Sequence, residues 1–126
     1  MLWLQRLTNW NAGSCWSSML TIAQRVQNGI KLLDTAMPGW REKIDISRLD
    51  LMSPNFCVLG QVMGRERCGY TLAVDKLSLS IQDREDAGFL RPILNEETVE
   101  QRMAGWEELT TAWKEALLAE KANGNT

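Results

Sequence analysis

The sequence predicts an all-α fold, a compact bundle in which two long amphipathic helices bracket several short ones. Three observations predict it. Two stretches of about twenty residues carry apolar side chains at three- and four-residue steps. Capping residues open the candidate helices, and Gly or Pro closes them. The one alternating stretch, Leu77, Leu79 and Ile81, reads as a strand in isolation but has no partner strand in the chain, so helix is favoured there.

The first long helix is expected from about Ser17 to Met37, with Met19, Ile22, Val26, Ile30, Leu33 and Met37 as its core face. Ser17 or Ser18 serves as N-cap, Gly29 is the weak point, and Pro38-Gly39 ends the helix. Asp45 then caps a single turn through Leu49, and Ser53-Pro54 opens a helix that runs to Val62 or Met63 and stops at Gly64. Residues 71–78 and 81–88 form two short helices, the second entered through Ser80 and stopped at Gly88. The last long helix spans about Glu96 to Lys121, capped by Asn95, with Val99, Met103, Trp106, Leu109, Trp113 and Leu117 on its stripe. Residues 1–14 are read as an N-terminal extension, 15–122 as a single helical domain and 123–126 as a C-terminal tail.

A length of 126 residues with 44% apolar content is enough for one core, and a charged fraction of 24% excludes wholesale disorder. Charge is uneven: residues 1–80 hold nine basic and six acidic side chains, residues 81–126 five and ten. The resulting net charge of −2 supplies no global drive toward nucleic acid or anionic membrane. No apolar run is long enough to span a membrane, and Leu2-Trp3-Leu4 is too short and lacks the basic start of a signal peptide. Together with three cysteines suited to reduced thiols, this makes the cytoplasm the expected location. Spacing alone leaves a Cys57 to Cys68 bridge open.

Gly13-Ser14-Cys15-Trp16 resembles the nucleophile segment of papain-type cysteine proteases. Such an enzyme needs an imidazole to hold its thiolate and protonate the leaving amine, and this chain contains no histidine. The same absence removes Ser-His-Asp catalysis and every His-containing metal site, and three cysteines cannot close a four-thiolate zinc site. Gly60-Gln61-Val62-Met63-Gly64 lacks the ending of a phosphate loop. Asp83, Glu85 and Asp86 lack calcium-loop spacing and are read as facing solvent. Catalytic, metal and cofactor residues are therefore expected to be none.

Function is expected to lie in binding another protein. Of the six tryptophans, Trp106 and Trp113 fall on a core stripe, whereas Trp3, Trp10, Trp16 and Trp40 are candidate partner-binding anchors. The alternative is a small DNA-binding regulator using Arg41, Lys43, Arg48, Arg65 and Arg67. Partner identity and oligomeric state are not readable.

The middle of the chain resembles a group of small uncharacterised helical proteins of actinobacteria and their phages. The matching residues are Leu32-Leu33-Asp34 with Pro38-Gly39-Trp40, then Ile44-Asp45, Leu49 and Leu51, then Cys57-Val58-Leu59-Gly60-Gln61 with Gly64. Ala87-Gly88-Phe89 and the run from Leu109 and Thr110 through Ala112-Trp113-Lys114 also match, so that the similarity covers about residues 20–118. It implies a phage or prophage setting and a helical domain, with no activity and no functional residue to carry over. The chain departs from the group in its tryptophan-bearing extension and in Arg65-Glu66-Arg67.

Overall fold

The computed structural model describes residues 20–64, 68–91 and 96–124. Five α-helices and two 3-10 turns make up the regular structure among these residues, and none of them is in a strand. The helices are α1 (Ile22–Ala36), α2 (Val58–Val62), α3 (Gly69–Leu77), α4 (Ile81–Asp86) and α5 (Val99–Gly124), with 3-10 turns at Trp40–Lys43 and Ile46–Arg48 between α1 and α2. Two long helices and three short ones result, as the periodicity predicts.

α1 begins at Ile22, later than expected, because Thr21 provides a complete capping box. Thr21 Oγ1 accepts the Gln24 amide and Gln24 Oε1 accepts the Thr21 amide. Ser17 and Ser18, the expected caps, lie outside the described residues. Pro38-Gly39 does end the helix, with Gly39 in the left-handed region at φ 86°. The same reversal turns Trp40 back under α1, where only 1% of its surface is exposed.

α2 is shorter than expected. Pro54 sits in a turn held by Ser53, whose hydroxyl accepts the amides of Asn55 and Phe56, and Cys57 is the N-cap. α4 follows the sequence closely, since Ser80 and Asp83 form a second capping box and Gly88 continues the stop at φ 74°. α5 starts three residues later than expected. Thr98 and Gln101 cap it reciprocally, while the expected cap Asn95 is outside the described residues.

α1 packs on α5 and α4, and α2 packs on α3 and the first 3-10 turn. The shared core joins Val26, Ile30 and Leu33 of α1 to Trp40, Val58, Leu59, Phe89, Leu109, Trp113 and Leu117. Trp113 is its centre. It stacks on Phe89 at 5.7 Å, meets Trp40 edge-on at 6.3 Å, and donates its indole N–H to the Gly88 carbonyl at 2.7 Å.

Gly29 turns out to be a contact point instead of a weak one. A Cβ there would lie 2.2 Å from the Ala87 carbonyl oxygen and 2.8 Å from the Trp113 ring. Gly29→Ala is therefore expected to destabilise the domain despite the higher helix propensity of alanine, by about 1–3 kcal/mol for a small-to-large change in a packed interior. A thermal melt checks this, and a variant as stable as the parent contradicts the packing.

Two of the segments that carry the resemblance, Cys57-Val58-Leu59-Gly60-Gln61 and Leu51, are framework. Gln61, 1% exposed, accepts the Asp45 amide at 2.6 Å and donates to the Phe56 carbonyl at 3.0 Å, tying the second 3-10 turn to the entry of α2. Leu51 is fastened to α5 by its amide, which donates to Thr110 Oγ1 at 3.0 Å.

Candidate functional site

Trp40 was expected to be a partner-binding anchor, and the structure corrects this. Its ring is buried against Trp113, and its Nε1 donates to Asp34 Oδ1 at 2.9 Å. A tryptophan with both its ring and its N–H satisfied inside the monomer presents nothing to a partner. Trp3, Trp10 and Trp16 lie outside the described residues.

Of the candidate basic patch, Arg41, Lys43 and Arg48 lie on the described residues. Arg41 is held between two carboxylates: it pairs with Asp34 and donates through Nε to Glu120 Oε1 at 2.7 Å and through Nη2 to Glu120 Oε2 at 3.1 Å. Its guanidinium also lies 4.8 Å from the Trp40 ring centre. Arg48 stands over the Phe56 ring at 4.5 Å. Lys43 is exposed, and Arg65 and Arg67 are outside the described residues.

Partial burial acts to raise the Asp34 carboxyl, but hydrogen bonds from Arg41 and Trp40 and the Arg41 charge outweigh it and hold the group below the ordinary carboxylate range. Because the folded pKa is the lower one, the stabilisation is complete above the unfolded value near 3.8 and is lost as pH falls through the folded one. Arg41→Gln should therefore shrink the loss of stability seen below about pH 4, read from urea midpoints across that range. An unchanged acid limb contradicts the pairing.

Two further ion pairs lie inside. Arg25 faces Asp86 at 3.7 Å and donates to the Glu85 carbonyl at 2.8 Å, while Asn28 donates to the Asp86 carbonyl at 2.9 Å. Asp86, read from the sequence as facing solvent, is 1% exposed. Its neighbour Ile81, at the other end of α4, is 58% exposed, so the short helix presents its polar end to the core and its apolar end to solvent. The second pair joins Arg91 to Glu97, both side chains 7% exposed. Each of these charges faces an oppositely charged side chain within 4 Å.

Cys57 is buried as expected, and its sulfur accepts the Gly60 amide at 3.2 Å. Burial pushes its thiol up to about 11. Cys57 and Cys68 are both free thiols, so the bridge that spacing left open is not formed. Cys68 is exposed. An aromatic disulfide reagent at neutral pH is expected to modify Cys68 readily and Cys57 only on unfolding, and rapid native labelling of Cys57 contradicts its burial.

One open cavity of about 510 Å³ lies between Met37, Lys43, Val62, Met63 and Lys76. Its described lining holds two ammonium groups and the Gln61 amide beside the apolar side chains of Met37, Val62 and Met63.

Periodicity alone misassigns one further feature. Val99 and Met103 lie on the α5 stripe that buries Leu109, Trp113 and Leu117, yet they are 65% and 49% exposed, with Trp106 half-buried between the two groups. The stripe outruns the core. No described helix is long and apolar enough to cross a membrane, and no group of three metal-ligating side chains occurs among the described residues. Set against models of known protein families, curated proteins and solved structures, the chain matches none of them.

Proposed function

We propose that the chain is a non-enzymatic accessory protein of phage type that works in the host cytoplasm by binding another protein through the tryptophans of its N-terminal segment. The observation that carries this reading is the use already made of the other tryptophans. Trp40 and Trp113 are consumed by the core, and Trp106 is half-buried against it. The three other tryptophans, Trp3, Trp10 and Trp16, share a segment with Leu2, Leu4 and Leu7. Tryptophan is among the residues that most often dominate the energy of a protein interface. The phage setting rests on the resemblance of residues 20–118 described above.

The non-enzymatic part is supported by how the described ionisable groups are spent. Arg25, Asp86, Arg91, Glu97, Asp34 and Arg41 all stabilise internal contacts. The DNA-binding alternative is weakened by the two carboxylates on Arg41, which a phosphate would have to displace.

The test is affinity capture from actinobacterial extract with the full chain and with a Trp3→Ala, Trp10→Ala double variant. The expected result is a discrete protein partner recovered by the parent and lost by the variant, with unchanged thermal stability. Equal recovery by both overturns the reading. So does tight, salt-sensitive binding to duplex DNA in a mobility-shift assay, because phosphate contacts weaken steeply with salt and an aromatic interface does not.

A further inference from the structure

The core stops short of the end of α5. Leu117 is 4% exposed, but the next residue, Leu118, is 53% exposed. Ala119, Lys121 and Ala122 are exposed as well, and of residues 118–122 only Glu120 is partly covered. The helix nevertheless continues to Gly124. About two turns, roughly 10 Å at a rise of 1.5 Å per residue, therefore follow Leu117, and residues 118–122 of them bury no side chain.

A helix end of that length has little stability of its own, because helices in folded proteins are held mainly by the packing of an apolar face. Here an ionic contact stands in for packing. Glu120 accepts two hydrogen bonds from Arg41, from Nε at 2.7 Å and from Nη2 at 3.1 Å. The same guanidinium pairs with Asp34, whose carboxylate accepts the Trp40 indole N–H at 2.9 Å, and it lies 4.8 Å from the Trp40 ring centre. Trp40 is buried, so Arg41 is fixed to the body of the domain while Glu120 belongs to the projecting turns. Among residues 118–122, Glu120 alone makes a side-chain hydrogen bond or ion pair with the rest of the described chain. The side chains of Arg41 and Glu120 are 43% and 33% exposed, which leaves their contact open to screening by dissolved ions. The contacts of Trp113, which has no exposed surface, are not open in this way.

We infer that Arg41 is a strap that closes the last two turns of α5 onto the body, and that these turns open as a unit of their own when the Glu120 contact is lost. The ordered length of α5 then responds to ionic strength while the core does not. The inference concerns the isolated chain and stands whether or not the partner-binding reading holds.

Hydrogen–deuterium exchange on the purified full chain at neutral pH tests it, with rates taken relative to an unfolded reference at the same salt. In the parent at low salt, amides of residues 118–122 should be protected, but less than those near Trp113, because they open without the core. Glu120→Gln leaves Arg41 on Asp34 and keeps the helix propensity of the position, so the melting temperature should stay that of the parent. The amides of residues 118–122 should exchange about two- to fivefold faster in this variant, the range for losing a partly exposed ion pair. Sodium chloride at about 1 M, where the Debye length is about 3 Å, should speed the same amides in the parent and add nothing in the variant. Equal exchange of residues 118–122 in parent and variant overturns the inference. So does protection of these amides equal to that near Trp113 in the parent, which would mean that the turns open only with the whole domain. Faster exchange that extends to Trp113 in Glu120→Gln overturns it too, because the contact would then support the core and not a separate unit.

Discussion

Trp113→Ala is expected to cost about 3–5 kcal/mol, the range for truncating a buried large aromatic side chain. Few single changes in this chain remove as much. Trp113 has no exposed surface, stacks on Phe89, receives the edge of Trp40, and supplies the N–H that satisfies the Gly88 carbonyl. Gly29 of α1 is held close to its ring, so the cavity left by alanine would open against α1. Against a total stability of about 5–15 kcal/mol for a domain, such a loss leaves the variant largely unfolded or marginal well below the parent melting temperature. Trp113→Phe should cost less, because part of the stack on Phe89 persists, although the second ring that lies against Gly29 and the N–H to the Gly88 carbonyl are both lost. Urea denaturation of the three proteins checks the order, and equal stability of the alanine variant and the parent contradicts the assignment of Trp113 as the centre of the core.

The second large effect belongs to Asp86. Asp86→Ala removes the carboxylate that faces Arg25 at 3.7 Å and accepts from Gln82 Nε2 at 3.0 Å, and breaking a buried pair from one side costs about 3–5 kcal/mol. The pair itself need not be worth that much. Replacing both partners with apolar residues of similar size, Arg25→Met with Asp86→Leu, should recover most of the loss, because the desolvation of both charges is then avoided together. A double-mutant cycle read by urea denaturation separates the two cases. If Asp86→Ala unfolds at the parent's midpoint, Asp86 faces solvent after all, as its place in an acidic cluster suggests.

That last point marks where sequence reasoning runs out. The capping of α4 by Ser80, the 3-10 turn at Asp45 and the stop at Pro38-Gly39 were legible because each depends on residues within a few positions of one another. The burial of Asp86 depends on Arg25 and Asn28, about sixty residues away, and nothing in the spacing of Asp83, Glu85 and Asp86 announces them. Trp40 is similar. Its position after Pro-Gly suggests an exposed turn, but the reversal carries it beneath α1, where Asp34 and Trp113 receive it.

The stripe of α5 shows the opposite failure. Its periodicity is regular from Val99 to Leu117, yet periodicity reports which face of a helix is apolar and not how far its neighbour extends. Only the later half of the stripe, from Leu109 to Leu117, is core. The candidate site divides along the same line. The tryptophans on the described helices and the 3-10 turn resolve into framework, and the binding role proposed for the chain moves to the N-terminal segment.

Site-specific photo-crosslinking in the host cell tests that claim most directly. A photoreactive residue is introduced in place of Trp3 or Trp10 and, as controls on exposed apolar positions of the described surface, in place of Met52 or Leu72. The account expects a discrete adduct with another protein from positions 3 and 10 and none from 52 and 72. Adducts that form from the control positions and not from 3 and 10 would contradict it.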